Sequence, residues 1–235
     1  IVVLGGSGWN FDDDGYFALS RQYSKGYHTF LDRELECFGA IHGQVISPIS
    51  LTLKIMDESG RPIVYNDELR SFAYSFIQRK VNVQYEALRK RNGGAFVWLD
   101  DPGLEFVFSG LCGYEAMRAK QELAAFFEGV KGPRGIHLCG RPDWDFLLSL
   151  NIEVLSFNAF AFGETFVAYD KVVDFLDAGN TISWGIVPTA CEDFSAGMLD
   201  HLVQRLEGMW RHLEQKGCPL DRIVRQSLIA PATCN

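Results

Sequence analysis

From about Ala40 to the end of the chain, short apolar runs alternate with stretches of helical spacing. That alternation restricts the chain to a fold of parallel βα units. The first clear strand is expected over Gly43 to Leu51. Asp67 is expected to cap a helix reaching about Arg91, with Leu69, Phe72, Phe76, Val83 and Leu88 at roughly helical spacing. Gly93-Gly94 ends it, and Ala95 to Leu99 then runs as a strand into Asp100-Asp101-Pro102, followed by a helix from about Tyr114 to Val130. The unit repeats as strand Ile136 to Cys139 with helix Pro142 to Leu150, strand Val154 to Phe157 with helix Val167 to Leu176, and strand Ile182 to Val187 with helix Asp193 to Lys216. A last strand ends at Cys234. Six alternations exceed a small flavodoxin-like sheet. The expected fold is an α/β (β/α)8 TIM barrel with its first one or two units altered or missing, as one domain over residues 1–235. Ile1 to Gly5 reads as a strand that begins without a preceding Met, so the true N-terminus and some loops are open questions.

Composition narrows the partners. An apolar share of 47% with 22% charged residues describes a globular chain, and no apolar run approaches the roughly 20 residues of a membrane span. A formal net charge of -8, with cations scattered among acids, excludes a nucleic-acid groove and leaves a small-molecule partner. The six cysteines lack close pairing in a chain well supplied with core residues, which points to a reducing cytoplasm.

Polar or reactive residues close nearly every strand: Asp100, Asp101, His137, Cys139, Asn158, Thr189 and Cys234. Strand C-termini build the active sites of such barrels. His137 and Cys139 end one strand and Cys234 ends another, so an imidazole and two thiols can converge at one rim. Two thiolates and an imidazole are three of the four positions of a tetrahedral zinc site, and the open fourth position is the catalytic pattern. A thiol bound there loses its proton more readily, and the chemistry suggested is alkyl transfer to sulfur. The competing reading is that Cys is among the most buried residues, so an H-x-C at a strand end also arises by coincidence.

The segments Gln44 to Leu51, Leu99 to Pro102, Gly135 to Gly140, Val154 to Asn158, Trp184 to Thr189 and Leu228 to Cys234, in this order and spacing, resemble the cobalamin-independent methionine synthase catalytic domain. They resemble in particular its short single-barrel relatives in the uroporphyrinogen decarboxylase-like superfamily. The resemblance spans roughly four fifths of the chain. It implies zinc held by His137, Cys139 and Cys234, with homocysteine or another thiol completing the coordination. Asp100 matches the aspartate that takes the amino group of homocysteine. Asn158 stands where the family has a glutamate ligand, so it orients substrate or holds a water; Glu164 is a distant alternative for the fourth ligand. Ser47-Pro48 replaces the usual Gly-Pro and narrows the substrate pocket, in which Ser47 is a binding candidate. The family loop that holds the amino-acid carboxylate has no good match, Leu4 to Gly8 being out of context.

The function implied is zinc-dependent methyl transfer to a thiol, most simply homocysteine to methionine, with a methylcorrinoid carried by a partner protein as donor. The alternatives are a methylcorrinoid:coenzyme M-type transferase and a non-catalytic thiol- or metal-binding paralogue. His42 reads as a satisfied histidine. His28, His201 and His212 read as surface residues, Trp144 and Trp184 as packing or pocket walls, and Cys191 as a rim thiol.

Overall fold

The computed structural model describes residues 14–110, 112–141, 143–189 and 198–233. A 3-10 turn, Asp14–Tyr16, and helix α1, Lys25–Leu31, precede the first strand. Then follow β1 (Ile41–Ile46), α2 (Pro48–Lys54), a 3-10 turn (Ile63–Tyr65), α3 (Asp67–Arg89), β2 (Ala95–Asp100), α4 (Leu104–Phe108), α5 (Ala116–Glu128) and β3 (Arg134–Leu138). The rest is α6 (Trp144–Leu147), β4 (Val154–Phe157), α7 (Ala159–Val167), α8 (Lys171–Asp177), β5 (Thr181–Val187), α9 (Met198–Gln215), α10 (Leu220–Arg225) and β6 (Ser227–Pro231).

The six strands form one sheet in the order β1-β2-β3-β4-β5-β6, every neighbouring pair parallel. The expected closed eight-stranded barrel is therefore corrected to an open six-stranded α/β sheet: among the described residues β1 pairs only with β2, and β6 only with β5. Residues 14–40 contain no valine or isoleucine, carry three glycines and form a 3-10 turn and α1 rather than a strand; Ile1 to Gly5, read from the sequence as a strand, lies outside the described residues. Consecutive strand order without a reversal is nevertheless that of a barrel sector, and one cavity is lined from all six strands on a single face. The sheet curls around that cavity, with the helices outside.

The convex face carries the main core. Leu155, Phe157, Ile182 and Trp184 point into it and meet Trp144 and Phe166, a set of rings with neighbouring centroids 4.5–6.0 Å apart. Trp144 and Trp184 are thus buried packing residues rather than pocket walls, and the Trp184 indole donates to Ser227 Oγ at 2.9 Å. A second, smaller cluster of Phe96, Trp98 and Val154, with Leu228 against it, lies on the concave side.

Three local expectations shift. The first strand stops at Ile46, because Pro48 at a first helical turn and Ser47 as its N-cap start α2; Ser47 Oγ accepts from Ser50 N at 3.0 Å. The cap of α3 is Asn66, which accepts from Glu68 N and Leu69 N, while Asp67 pairs with Arg70 and Arg118. The helix expected over Val167 to Leu176 is two helices, α7 and α8. Among the described residues no helix is long and apolar enough to cross a membrane.

Candidate metal centre

Strands β2 and β3 end side by side, with Asp100 in register with His137. Parallel pairing of β3 with β4 sets His137 beside Ser156, and β4 with β5 sets Ser156 beside Ser183. One donor atom each from Asp100, His137 and Cys139 lies within 4.8 Å of the others. His137 is 4% exposed, and its two ring nitrogens have different neighbours: Nδ1 meets Ser156 Oγ at 2.8 Å and Nε2 meets Cys139 Sγ at 2.9 Å. Burial pushes the His137 imidazole below its ordinary pKa; Asp100 acts against this and His42 adds to it. The ring is therefore neutral at neutral pH, the form in which imidazole binds metal.

The Trp98 ring stacks on His137 with centroids 5.5 Å apart and planes at 26°. Gly135 permits this: a Cβ there would lie 2.7 Å from Trp98 Cβ and 3.2 Å from Trp98 Cα. Ser156 and Trp98 together fix the imidazole from its edge and its face, as the surroundings of a metal-binding His do.

Nitrogen, sulfur and carboxylate oxygen are a donor set that fits zinc. The Nε2 to Sγ approach of 2.9 Å is tighter than the about 3.5 Å that tetrahedral zinc imposes on such a pair, so a small rotation of either side chain accompanies binding. Asp100, expected to take a substrate amine, stands among these possible donor atoms. Cys234 and Cys191 lie outside the described residues.

The remaining site candidates are held by local structure. Asn158 caps α7, its side-chain oxygen accepting from Ala161 N at 2.9 Å. Ser47 is fully buried at the head of α2. Glu164 pairs with Arg205 at 2.7 Å and is not in the donor cluster. Asp101, next to Asp100, is completely buried. Its Oδ1 accepts from Ser50 Oγ at 2.6 Å, Oδ2 has no hydrogen bond of good geometry, and its N–H donates to the His137 carbonyl at 3.0 Å. Burial pushes its pKa up to about 7, against Ser50, Ser47 and the Leu104 N–H, which favour the ionised form.

The concave face forms a half-open pocket of about 460 Å³ that meets the cluster at His137. His42, Phe96, Trp98, Ser156, Ser183 and Leu228 are among its walls. His42 thus faces the pocket, its ring 4.1 Å from that of Trp98 between centroids. Sequence reasoning missed Ser156, Trp98 and His42 as parts of this site. Ser156 was visible only through the register of β3 with β4, which no local pattern supplies.

No protein-family model matches the chain, and no curated protein matches it. Among solved structures, the chain is similar at 11% identity and a TM-score of 0.28 to an intracellular xylanase from Thermoanaerobacterium saccharolyticum in complex with xylotriose. The alignment covers 75% of this chain and 44% of that one, so the chain spans less than half the length of the protein it matches. At that score the likeness bears on neither the fold nor the chemistry.

Proposed function

We propose that the protein is a zinc-dependent methyltransferase that moves a methyl group onto the sulfur of a thiol. The observation that carries this reading is the convergence of Asp100, His137 and Cys139 donor atoms within 4.8 Å at the ends of β2 and β3, beside a cavity of small-molecule size. His137, Cys139 and Asp100 would hold the ion, with Cys234 a further candidate from the sequence resemblance. The chemistry that zinc supplies when bound is a lowered thiol pKa, which leaves a nucleophile at neutral pH.

The chain's own residues do the positioning. Ser156 holds the His137 ring at Nδ1, which leaves Nε2 turned toward Cys139. The Asp101 N–H donates to the His137 carbonyl at 3.0 Å and the Ser47 N–H to the Asp100 carbonyl at 2.9 Å, which ties the end of β2 to the ends of β3 and β1. The thiol gives up its proton, a sulfur–carbon bond forms, and the donor departs with the electron pair of its bond to the methyl group. A methylcorrinoid on a partner protein is the donor proposed. Alignment of sulfur with that methyl group supplies much of the acceleration. Homocysteine is the acceptor that the sequence resemblance implies.

The test is the zinc content of wild type and Cys139→Ser by elemental analysis, followed by methyl transfer from methylcobalamin to thiols. One zinc per chain, lost in the variant, with a zinc-dependent thioether product, is expected. Zinc without product from any thiol would leave a metal-binding protein with no transferase activity, and no zinc in folded wild type would remove the reading.

A further inference from the structure

The walls of the concave cavity are aromatic and aliphatic, and their polar atoms are uncharged. Phe96, Trp98 and Leu228 provide the apolar surface, and Ser156 and Ser183 the hydroxyls. His42 stacks on Phe96 with planes at 23°, and its imidazole is held below the ordinary pKa by burial, so it brings no charge at neutral pH. Among the described residues no lysine or arginine lines the cavity, and the segments of this sequence outside them contain neither residue. On β3, Arg134 is engaged with Glu153, and Arg141, two residues beyond Cys139, is exposed and absent from the cavity wall.

The donor cluster adds no positive excess. A thiolate and a carboxylate beside a neutral imidazole cancel a divalent ion, and a bound thiolate turns the sum negative. A sulfonate would enter this cavity without a compensating charge, and an amino-acid thiol would bring an ammonium and a carboxylate against apolar walls that pair with neither, both of which are unfavourable. A flat apolar body meets matching walls instead.

From this charge pattern and these walls we infer that the thiol acceptor is uncharged and carries a planar, apolar body, in preference to an amino-acid thiol or a sulfonate thiol. The inference rests on the metal-dependent reading above and replaces the homocysteine acceptor that the sequence resemblance implies.

The experiment loads the full chain with cobalt(II) in place of zinc and follows the sulfur-to-cobalt charge-transfer band during titration with benzyl mercaptan, homocysteine and 2-mercaptoethanesulfonate. Benzyl mercaptan is expected to bind about tenfold or more tightly than either charged thiol. Phe96→Leu, at a cavity wall away from His137, is expected to weaken benzyl mercaptan by about five- to tenfold and 2-mercaptoethanol by less than about twofold. Equal or tighter binding of the charged thiols by wild type overturns the inference, and loss of that binding in Arg141→Ala would identify the group that holds the anion. The wild-type ranking needs no variant to fold. Benzyl alcohol and phenylacetate, which carry no sulfur, are titrated in parallel into metal-free protein while the Trp98 indole N–H is followed by NMR. A shift with benzyl alcohol alone supports the cavity assignment even if cobalt fails to bind, which would count against the metal reading only. An equal shift with phenylacetate, or none with either, overturns the cavity assignment itself.

Discussion

Replacing Asp101 by Asn tests whether a fully buried carboxyl at the β2 rim titrates near neutrality. The group moves from an ordinary pKa of 3.8 to about 7, burial being the largest cause. A carboxyl whose folded pKa is raised binds its proton more tightly in the folded state. Its contribution to stability is therefore complete at low pH and is lost as pH rises through the window from 3.8 to about 7. Each pKa unit corresponds to about 1.4 kcal/mol, so the whole shift is worth about 4 kcal/mol, of which about 3 kcal/mol falls between about pH 4.5 and about pH 8. Asn cannot ionise but keeps an oxygen for the Ser50 hydroxyl. Its effect on stability is then a constant offset plus this pH-dependent term. Urea unfolding of wild type and Asp101→Asn, with chelator present and ionic strength fixed, measures the difference at each pH. The stability of the variant relative to wild type is expected to rise by about 3 kcal/mol across that range. Contributions from His137 and the other carboxylates cancel in the difference. Profiles that stay parallel within about 0.5 kcal/mol would refute the argument, because the carboxyl would then be ionised at no cost in the folded protein.

Ser156→Ala removes the partner of His137 Nδ1 and is expected to weaken zinc binding by about 10- to 100-fold while the folded state persists; competition with a chromophoric chelator reads it. Asn158→Ala should cost about 1 kcal/mol through the lost cap of α7, with Asn158→Asp close to neutral, and zinc content unchanged in both; loss of zinc in the alanine variant would show that Asn158 supports the metal site rather than only the helix. Gly135→Ala forces a Cβ against Trp98 and is expected to destabilise by about 1–3 kcal/mol and to alter near-UV circular dichroism; an unperturbed signal would show that Trp98 does not depend on that glycine.

Much of the architecture was legible because it is local. Apolar runs of strand length bounded by turn residues locate β2 to β6 to within a few residues, and Val154 to Phe157 matches β4 at both ends. His137 and Cys139 stand at a strand's end for the same reason: β3 stops at Leu138, one residue before the cysteine. The count of strands was not legible, since a chain of parallel βα units reads alike whether its sheet closes or stays open. Asn158 was a site candidate from its place after a strand, and Ser47 from the sequence resemblance, in a stretch read as strand. Both hydroxyl and amide go to helix N-termini, because a helix starting immediately after a strand has N–H groups that need acceptors.

The sequence by itself determined the α/β class, the succession of parallel units and the gathering of chemistry-bearing residues at strand C-termini, since these follow from periodicity and from residue types a few positions apart. Only the tertiary structure decided that the sheet has six strands and an open concave face, that Asp100 stands among the donors of His137 and Cys139, that Ser156 holds the imidazole, and that Asp101 is buried beside them. Each of these depends on the register between parallel strands joined by crossovers of 15 residues or more. Register is a property of side-chain packing across strands and is written in no single segment of the chain.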